Sequence, residues 1–192
     1  MTLKRLIVTL LLVAFSTACG SKSKTLTCDI ETLDGSAVIP SIRQFGNDTK
    51  YDVELELEEH WVNLSVGVIR DEHESTLYAA SNKASNAKDR LELTHKEYQR
   101  VWAEDMFHKV DLVSSERSHW VDIESRTSIW NVRLGDNSNT STIGLWAVVD
   151  GKVLFTVTVL ATTKAPGTAA LSHDSSVSLI QEITEQCQLS EL

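Results

Sequence analysis

The stretch from Thr142 to Ala161 constrains this chain more than any other. Thr142–Val149 and Lys152–Ala161 are two apolar, β-branched runs separated by Asp150-Gly151. Asp-Gly supplies the positive φ angles of a type I′ turn, so the two runs should fold back on each other as an antiparallel hairpin. A hairpin this apolar needs company. It belongs in a larger sheet, and the sheet needs a second layer to cover it.

Other segments carry the same period of two. Leu26, Cys28 and Ile30 alternate like a strand, followed by a turn at Asp34-Gly35. Pro40 and Gly46-Asn47-Asp48 punctuate a loop. Tyr51, Val53, Leu55 and Leu57 then alternate with Asp52, Glu54, Glu56 and Glu58, which predicts a strand with one buried and one acidic face. Four acids in a row would suit a cation site, but strand neighbours at period two point outward side by side, and a solvated face explains them. Val62, Leu64, Val66 and Val68 have the opposite parity. One period cannot serve both sets, so Glu59-His60 should be a tight turn or a bulge. Further along, Trp120–Ile123 and Ser128–Leu134 are expected strands, with a loop at Gly135–Asn139 and a stop at Pro166-Gly167.

Two helices are expected. Residues 71–90 read as a polar loop with a short helix around Ala84–Leu91. Thr94-x-x-Glu97 has the form of a capping box, and Tyr98, Val101, Trp102, Met106 and Val110 recur at helical spacing. A final helix should run from Asp174 to Gln188, with Leu179, Ile180, Ile183 and Cys187 on its apolar face. Strands, helix, antiparallel strands, helix is the layout of an α+β domain: a mainly antiparallel sheet with one mid-chain helix and one C-terminal helix packed on it. This element order is similar to that of PsbP-like domains, which also occur in bacterial lipoproteins. The resemblance implies a fold and no activity.

The N-terminus bears on location. Lys4 and Arg5 precede ten apolar residues, Leu6–Phe15, and then Ser16-Thr17-Ala18-Cys19. This is the three-part layout of a secretory signal, and the apolar run is too short to span a bilayer, which takes about 20 residues. Phe15–Gly20 resembles the bacterial lipobox, in which a small residue precedes an obligatory Cys that receives a diacylglyceryl group. The match departs at Ser16, where Leu is usual, and Ser16-x-Ala18 also suits the ordinary signal peptidase. Cysteine arithmetic separates the two routes. The chain has three cysteines. If Cys19 is acylated, Cys28 and Cys187 remain as an even pair for an oxidising compartment. That pair is expected to form a disulfide; the alternatives are two buried thiols, or part of a metal site for which no further ligands are in view. By the same lipoprotein resemblance, Gly20 in place of Asp implies transfer to the outer membrane. The expected organisation is a signal peptide over 1–18, a lipidated Cys and flexible tether over 19–25, and one domain over 26–192. The six residues from Gly20 to Thr25 would reach about 13 Å, so the domain should sit close to the membrane.

The charge narrows the partners. The formal charge is −9, and removal of 1–18 takes away Lys4 and Arg5 and no acid, leaving −11. A nucleic acid or an anionic lipid surface needs clustered Lys and Arg, so the acidic balance argues against both as partners. The sequence contains no HExxH, Walker, GxSxG or CxxC motif. Asp71-Glu72-His73-Glu74 is the densest group of potential ligands, but four consecutive residues cannot all face one ion from a regular element, and a surface loop explains them. Ser118-His119 are neighbours in sequence, which is no evidence for a catalytic pair. No cofactor or metal is expected.

One internal echo remains: His60-Trp61-Val62-Asn63-Leu64 and His119-Trp120-Val121-Asp122-Ile123. Read as two strands, they place Trp61 and Trp120 on the faces opposite His60 and His119. Aromatic and polar groups together would make a recognition surface; alternatively, helices cover both indoles. The leading expectation is a non-enzymatic lipoprotein of the outer membrane that binds a protein or ligand in the periplasm. The alternatives are an immunity protein against a periplasm-delivered toxin and an envelope hydrolase.

Overall fold

Alternating side chains make strands, and the strands here pair antiparallel, mostly with the next in sequence but with β4 joined to β8 and β1 to β9. The computed structural model describes residues 24–28, 41–45, 48–70, 86–133, 140–150 and 153–191. In chain order these form β1 (Lys24–Cys28), β2 (Ser41–Phe45), β3 (Asp48–Glu56), β4 (His60–Arg70), α1 (Ala87–Val101) with a π-helical turn (Trp102–Met106), β5 (Lys109–Trp120), β6 (Ile123–Arg133), β7 (Thr140–Asp150), β8 (Val153–Thr163), α2 (His173–Glu185) and β9 (Cys187–Glu191). Strands β2-β3-β4-β8-β7-β6-β5 make a seven-stranded antiparallel sheet. β1 and β9 pair separately. The fold is α+β, with one helix on each face of the sheet.

The hairpin that dominates the sequence sits at the centre. Asp150 is itself the last residue of β7 and pairs with Val153, so the hairpin forms as expected but its two linking residues are 151–152, one later than Asp150-Gly151; both lie outside the described residues. Every residue from Ser141 to Val149 is buried. The reason is a helix on either side. Ile143 and Leu145 pack with Trp130 and Val132 beneath Trp102 of the π turn, and Ala147 and Val149 pack with Leu91 of α1. Trp146 and Val148 face the other way, into a core shared with β4, β8 and Ile180 and Ile183 of α2. Gly144 lets α2 come close: a Cβ there would meet Ile180 Cδ1 at 2.7 Å. Val62, Leu64, Val66 and Val68 are all buried on this face, as their parity requires.

Several expectations need correction. The reversal before β4 is centred on Glu58-Glu59, one residue earlier than Glu59-His60. Leu57 and His60 exchange both backbone hydrogen bonds, at 3.0 and 3.4 Å. β2 occupies Ser41–Phe45, between Pro40 and Gly46, where only a loop was expected. Helix α1 does not start at Thr94. Its cap is Asn86, whose side chain accepts the Asp89 N–H at 2.9 Å, and the short and long expected helices are one. Thr94 lies mid-helix, 0% exposed, on the packed face, and the Glu97 carboxylate turns to Arg100 at 2.6 Å. A buried Thr one turn before a half-buried Glu paired with Arg100 has the same spelling as a capping box. Met106 ends exposed, and Val110 belongs to β5. The π turn explains the shift: Phe107 N–H donates to Trp102 O at 2.8 Å, and the extra residue lets both Trp102 and Phe107 reach the core.

The C-terminal helix also stops early. It is capped by Ser172, whose Oγ accepts the Ser175 N–H at 3.1 Å, and it ends at Glu185. Cys187 is not on its apolar face but opens β9, where it is buried at 6% exposure. The register sets Cys187 directly opposite Cys28. β1 takes in Lys24 and Thr25, the last two residues of the expected tether. Cys19, Asp34-Gly35, Asp71–Glu74 and Gly135–Asn139 lie outside the described residues.

Candidate binding groove

Residues Trp120–Ile123 form a turn, not a strand. Trp120 pairs with Ile123, and the two residues between them, Val121 and Asp122, have φ of 47° and 64°. That is a tight hairpin with both central residues left-handed. The echo with His60–Leu64 is therefore one of spelling only. Val121 is 72% exposed, and a β-branched residue at positive φ is strained. Val121→Asn is expected to raise unfolding free energy by about 1 kcal/mol, read from urea denaturation.

The turn also separates the four residues singled out above. Trp61 pairs with Thr162 on the α1 side of the sheet, whereas Trp120 packs edge-on against Trp146 on the α2 side, ring centroids 5.4 Å apart. β4 and β5 are four strand spacings apart, about 19 Å. His60 is buried, with Nε2 3.1 Å from the Ala169 carbonyl. Trp61 is 55% exposed, with Lys164 Nζ 4.9 Å above its ring and that amine also 2.7 Å from Glu56. These two make no shared surface with Trp120 and His119.

Trp120 and His119 do line a groove. Helix α2 packs over β8, β7 and β6, and the edge strand β5 runs beyond it. The step between α2 and β5 leaves a cavity of about 380 Å³, within the range of small-ligand sites. Its sheet side follows from strand parity. Ser114, Glu116 and Ser118 of β5 face the same way as their partners Ile129, Thr127 and Ser125. Its helix side follows from helical spacing: His173, Val177, Ile180, Gln181 and Thr184 return to one face of α2. Trp120 Nε1–H donates to Thr184 O at 3.3 Å and ties the β5–β6 turn to the end of the helix. Ser118 Oγ and Ser125 Oγ are 2.8 Å apart, so Ser118 is engaged by a serine and not by its sequence neighbour His119. The lining is rich in hydroxyls, carries Glu116 and Glu185, and holds no Lys or Arg among the described residues. Sequence reasoning missed Ser114, Glu116, Thr127 and Gln181. Their signal is polar alternation on a strand, which reads identically for an open solvated face.

A second polar cluster lies beneath α1. His95 is buried and stacks near Trp130. Its Nδ1 is 2.9 Å from Ser128 Oγ. Ser128 Oγ is 2.6 Å from Ser115 Oγ, and Arg126 Nε donates to Ser115 Oγ at 2.9 Å. The His–Ser contact has the residue types of a nucleophile and its base. However, Ser128 is buried, and no carboxylate is hydrogen-bonded to His95 among the described residues, so the orienting group that such a pair uses is missing. Burial holds the His95 pKa down to about 3, assisted by the Arg126 guanidinium. The consequence is a pH dependence with a definite sign. The folded pKa lies below the unfolded value, so the unfolded chain takes up the proton first as pH falls. Stability from this group is full above about pH 6.5 and is lost progressively toward pH 3. Between pH 7 and pH 5 the loss should be about 2 kcal/mol, and urea denaturation of His95→Gln should show a flatter profile over that interval.

Among the described residues, no group of three or more His, Cys, Asp or Glu is placed to hold a metal ion, and no helix is long and apolar enough to cross a membrane. No family model and no curated protein matches the chain. Solved structures to which it is similar include cyanobacterial PsbP (CyanoP) from Synechocystis sp. PCC 6803, at a TM-score of 0.47 and 17% identity, over 90% of this chain and 96% of that one. Another is LpqN, involved in cell envelope biogenesis of Mycobacterium tuberculosis, at a TM-score of 0.38 and 7% identity, over 88% of this chain and 93% of that one. At these values the likeness is one of chain layout, and nothing about site or activity follows from it.

Proposed function

We propose that this chain is a lipoprotein of the outer membrane, anchored through Cys19, whose periplasmic domain binds a ligand or a segment of a partner in the groove between α2 and β5 and performs no covalent chemistry. The observation that carries the binding reading is the groove itself: a cavity of about 380 Å³ with Trp120 and Trp146 in its wall and hydroxyls around them. Aromatic walls supply contact area, and convergent polar groups supply orientation. The anchor is supported by the basic and apolar N-terminal segment, by the small residues before Cys19 and by Gly20 after it. β1 begins at Lys24, five residues past the anchor, which keeps the domain near the bilayer. A disulfide between Cys28 and Cys187 is part of the same reading, supported by their direct opposition in the β1–β9 pairing.

The test uses the full chain extracted in detergent and its own indole fluorescence. Fractionated envelope material is titrated against the wild type and against Thr127→Phe, which fills the groove from the sheet side. Saturable quenching or blue shift in the wild type, lost in Thr127→Phe, is the expected result. Equal binding by both proteins would place the site elsewhere. A hydrolytic activity abolished by one Ser or His substitution would overturn the non-enzymatic reading.

A further inference from the structure

We infer that the groove selects a cation: an ammonium or guanidinium group carried on a short aliphatic stem. The inference rests on the groove being the binding site and goes on to name the chemistry it takes. Glu116 stands on the β5 wall and Glu185 at the end of the α2 wall, both exposed. Neither has an ion-pair partner among the described residues. The acids of the opposite face are different: Glu92 is paired with Lys96 at 2.8 Å and Arg117 at 3.2 Å, and Glu124 with Arg117 at 3.5 Å. Positive side chains are thus spent on the α1 side of the sheet and are absent from the groove lining.

Val177 and Ile180 of α2 and the indole of Trp120 give an apolar wall that fits an aliphatic stem. Ser114, Ser118 and Thr127 offer hydroxyl oxygens that accept N–H donors. Trp120 and the two carboxylates line the same groove, and a ring face and negative charge each favour a cation. An anionic ligand would meet two carboxylates and no Lys or Arg, with only the imidazoles of His119 and His173 to offset them. A neutral sugar would use the indole and hydroxyls and leave both carboxylates without a role.

The test is calorimetric titration of the full chain in detergent with defined probes. These are Nα-acetyl-lysine amide, its Nε-acetylated counterpart, cadaverine, N-acetyl-glutamate amide and chitobiose. The charged lysine probe should bind about tenfold more tightly than the Nε-acetylated one, in line with two partly screened charge contacts and a ring contact. Glu116→Gln and Glu185→Gln should each weaken it roughly threefold to fivefold, and added salt should weaken it further. Both residues are exposed, so these variants should fold as the wild type does. Capped lysine ahead of cadaverine points to a peptide side chain as the natural source, and the reverse order to a free diamine; either order supports the cation. Equal binding of charged and acetylated lysine, or unchanged affinity in both Gln variants, overturns it, as does no binding of either cation. Chitobiose bound by the wild type and lost in Thr127→Phe would remove the cation inference and leave the groove standing as the site.

Discussion

Replacing Cys28 with Ala is expected to cost about 3 kcal/mol of stability, read as a lower urea midpoint than that of the oxidised wild type. The expectation rests on register. Residues directly opposite in an antiparallel pair have Cα atoms about 4.5–5.5 Å apart, within the span a disulfide bridges, and Cys28 and Cys187 occupy such a pair. A bridge there closes nearly the whole mature domain into one loop, the case in which cross-linking restricts the unfolded chain most. Cys28→Ala is preferable to Cys187→Ala, because Cys187 is buried against Ile183 and its neighbours and its truncation also removes packing. Reductant should bring the wild type to the midpoint of the variant. A wild-type midpoint indifferent to reductant would mean that the pair is not bridged.

The second large effect concerns Cys19→Ser, which is expected to remove the protein from the membrane altogether. Acylation buries long chains at about 0.8 kcal/mol per CH₂, and more than one chain gives stable anchoring. No such anchor can form on a serine. Ser16-x-Ala18 still offers a site to the ordinary signal peptidase, so the variant should appear as a soluble periplasmic protein or an unprocessed precursor. The check is fractionation after a high-salt wash, with the wild type in the membrane pellet and the variant absent from it.

The sheet was legible wherever one residue decided a geometry. Asp150-Gly151 and the parity change between Leu57 and Val62 each marked a turn within one residue of its place. Cys28 was expected in a strand and lies in one. Failures came where tertiary packing gave a familiar spelling a different use. Thr94 and Glu97 spell a cap, but Asn86 had already started the helix and the core took Thr94. Val121 is a strong strand former, yet it occupies a turn at positive φ because β5 and β6 must reverse there. That reversal put Trp61 and Trp120 on opposite faces of the sheet. The groove itself was not readable. Its existence depends on α2 stopping short of β5, a matter of how a helix lies across strands distant in sequence, and no local pattern encodes that. Of its lining, the sequence marks Trp120 and His119 as a recognition surface, and for a symmetry with His60 and Trp61 that the fold does not keep.

The measurement that tests the central claim most directly is the intact mass of the protein extracted from membranes, taken before and after reduction. A chain starting at Cys19, carrying the mass of a diacylglyceryl group and an amide-linked acyl chain and gaining two hydrogens on reduction, is the predicted result. A chain starting at Cys19 without acyl mass, or one that retains residues 1–18, would contradict it.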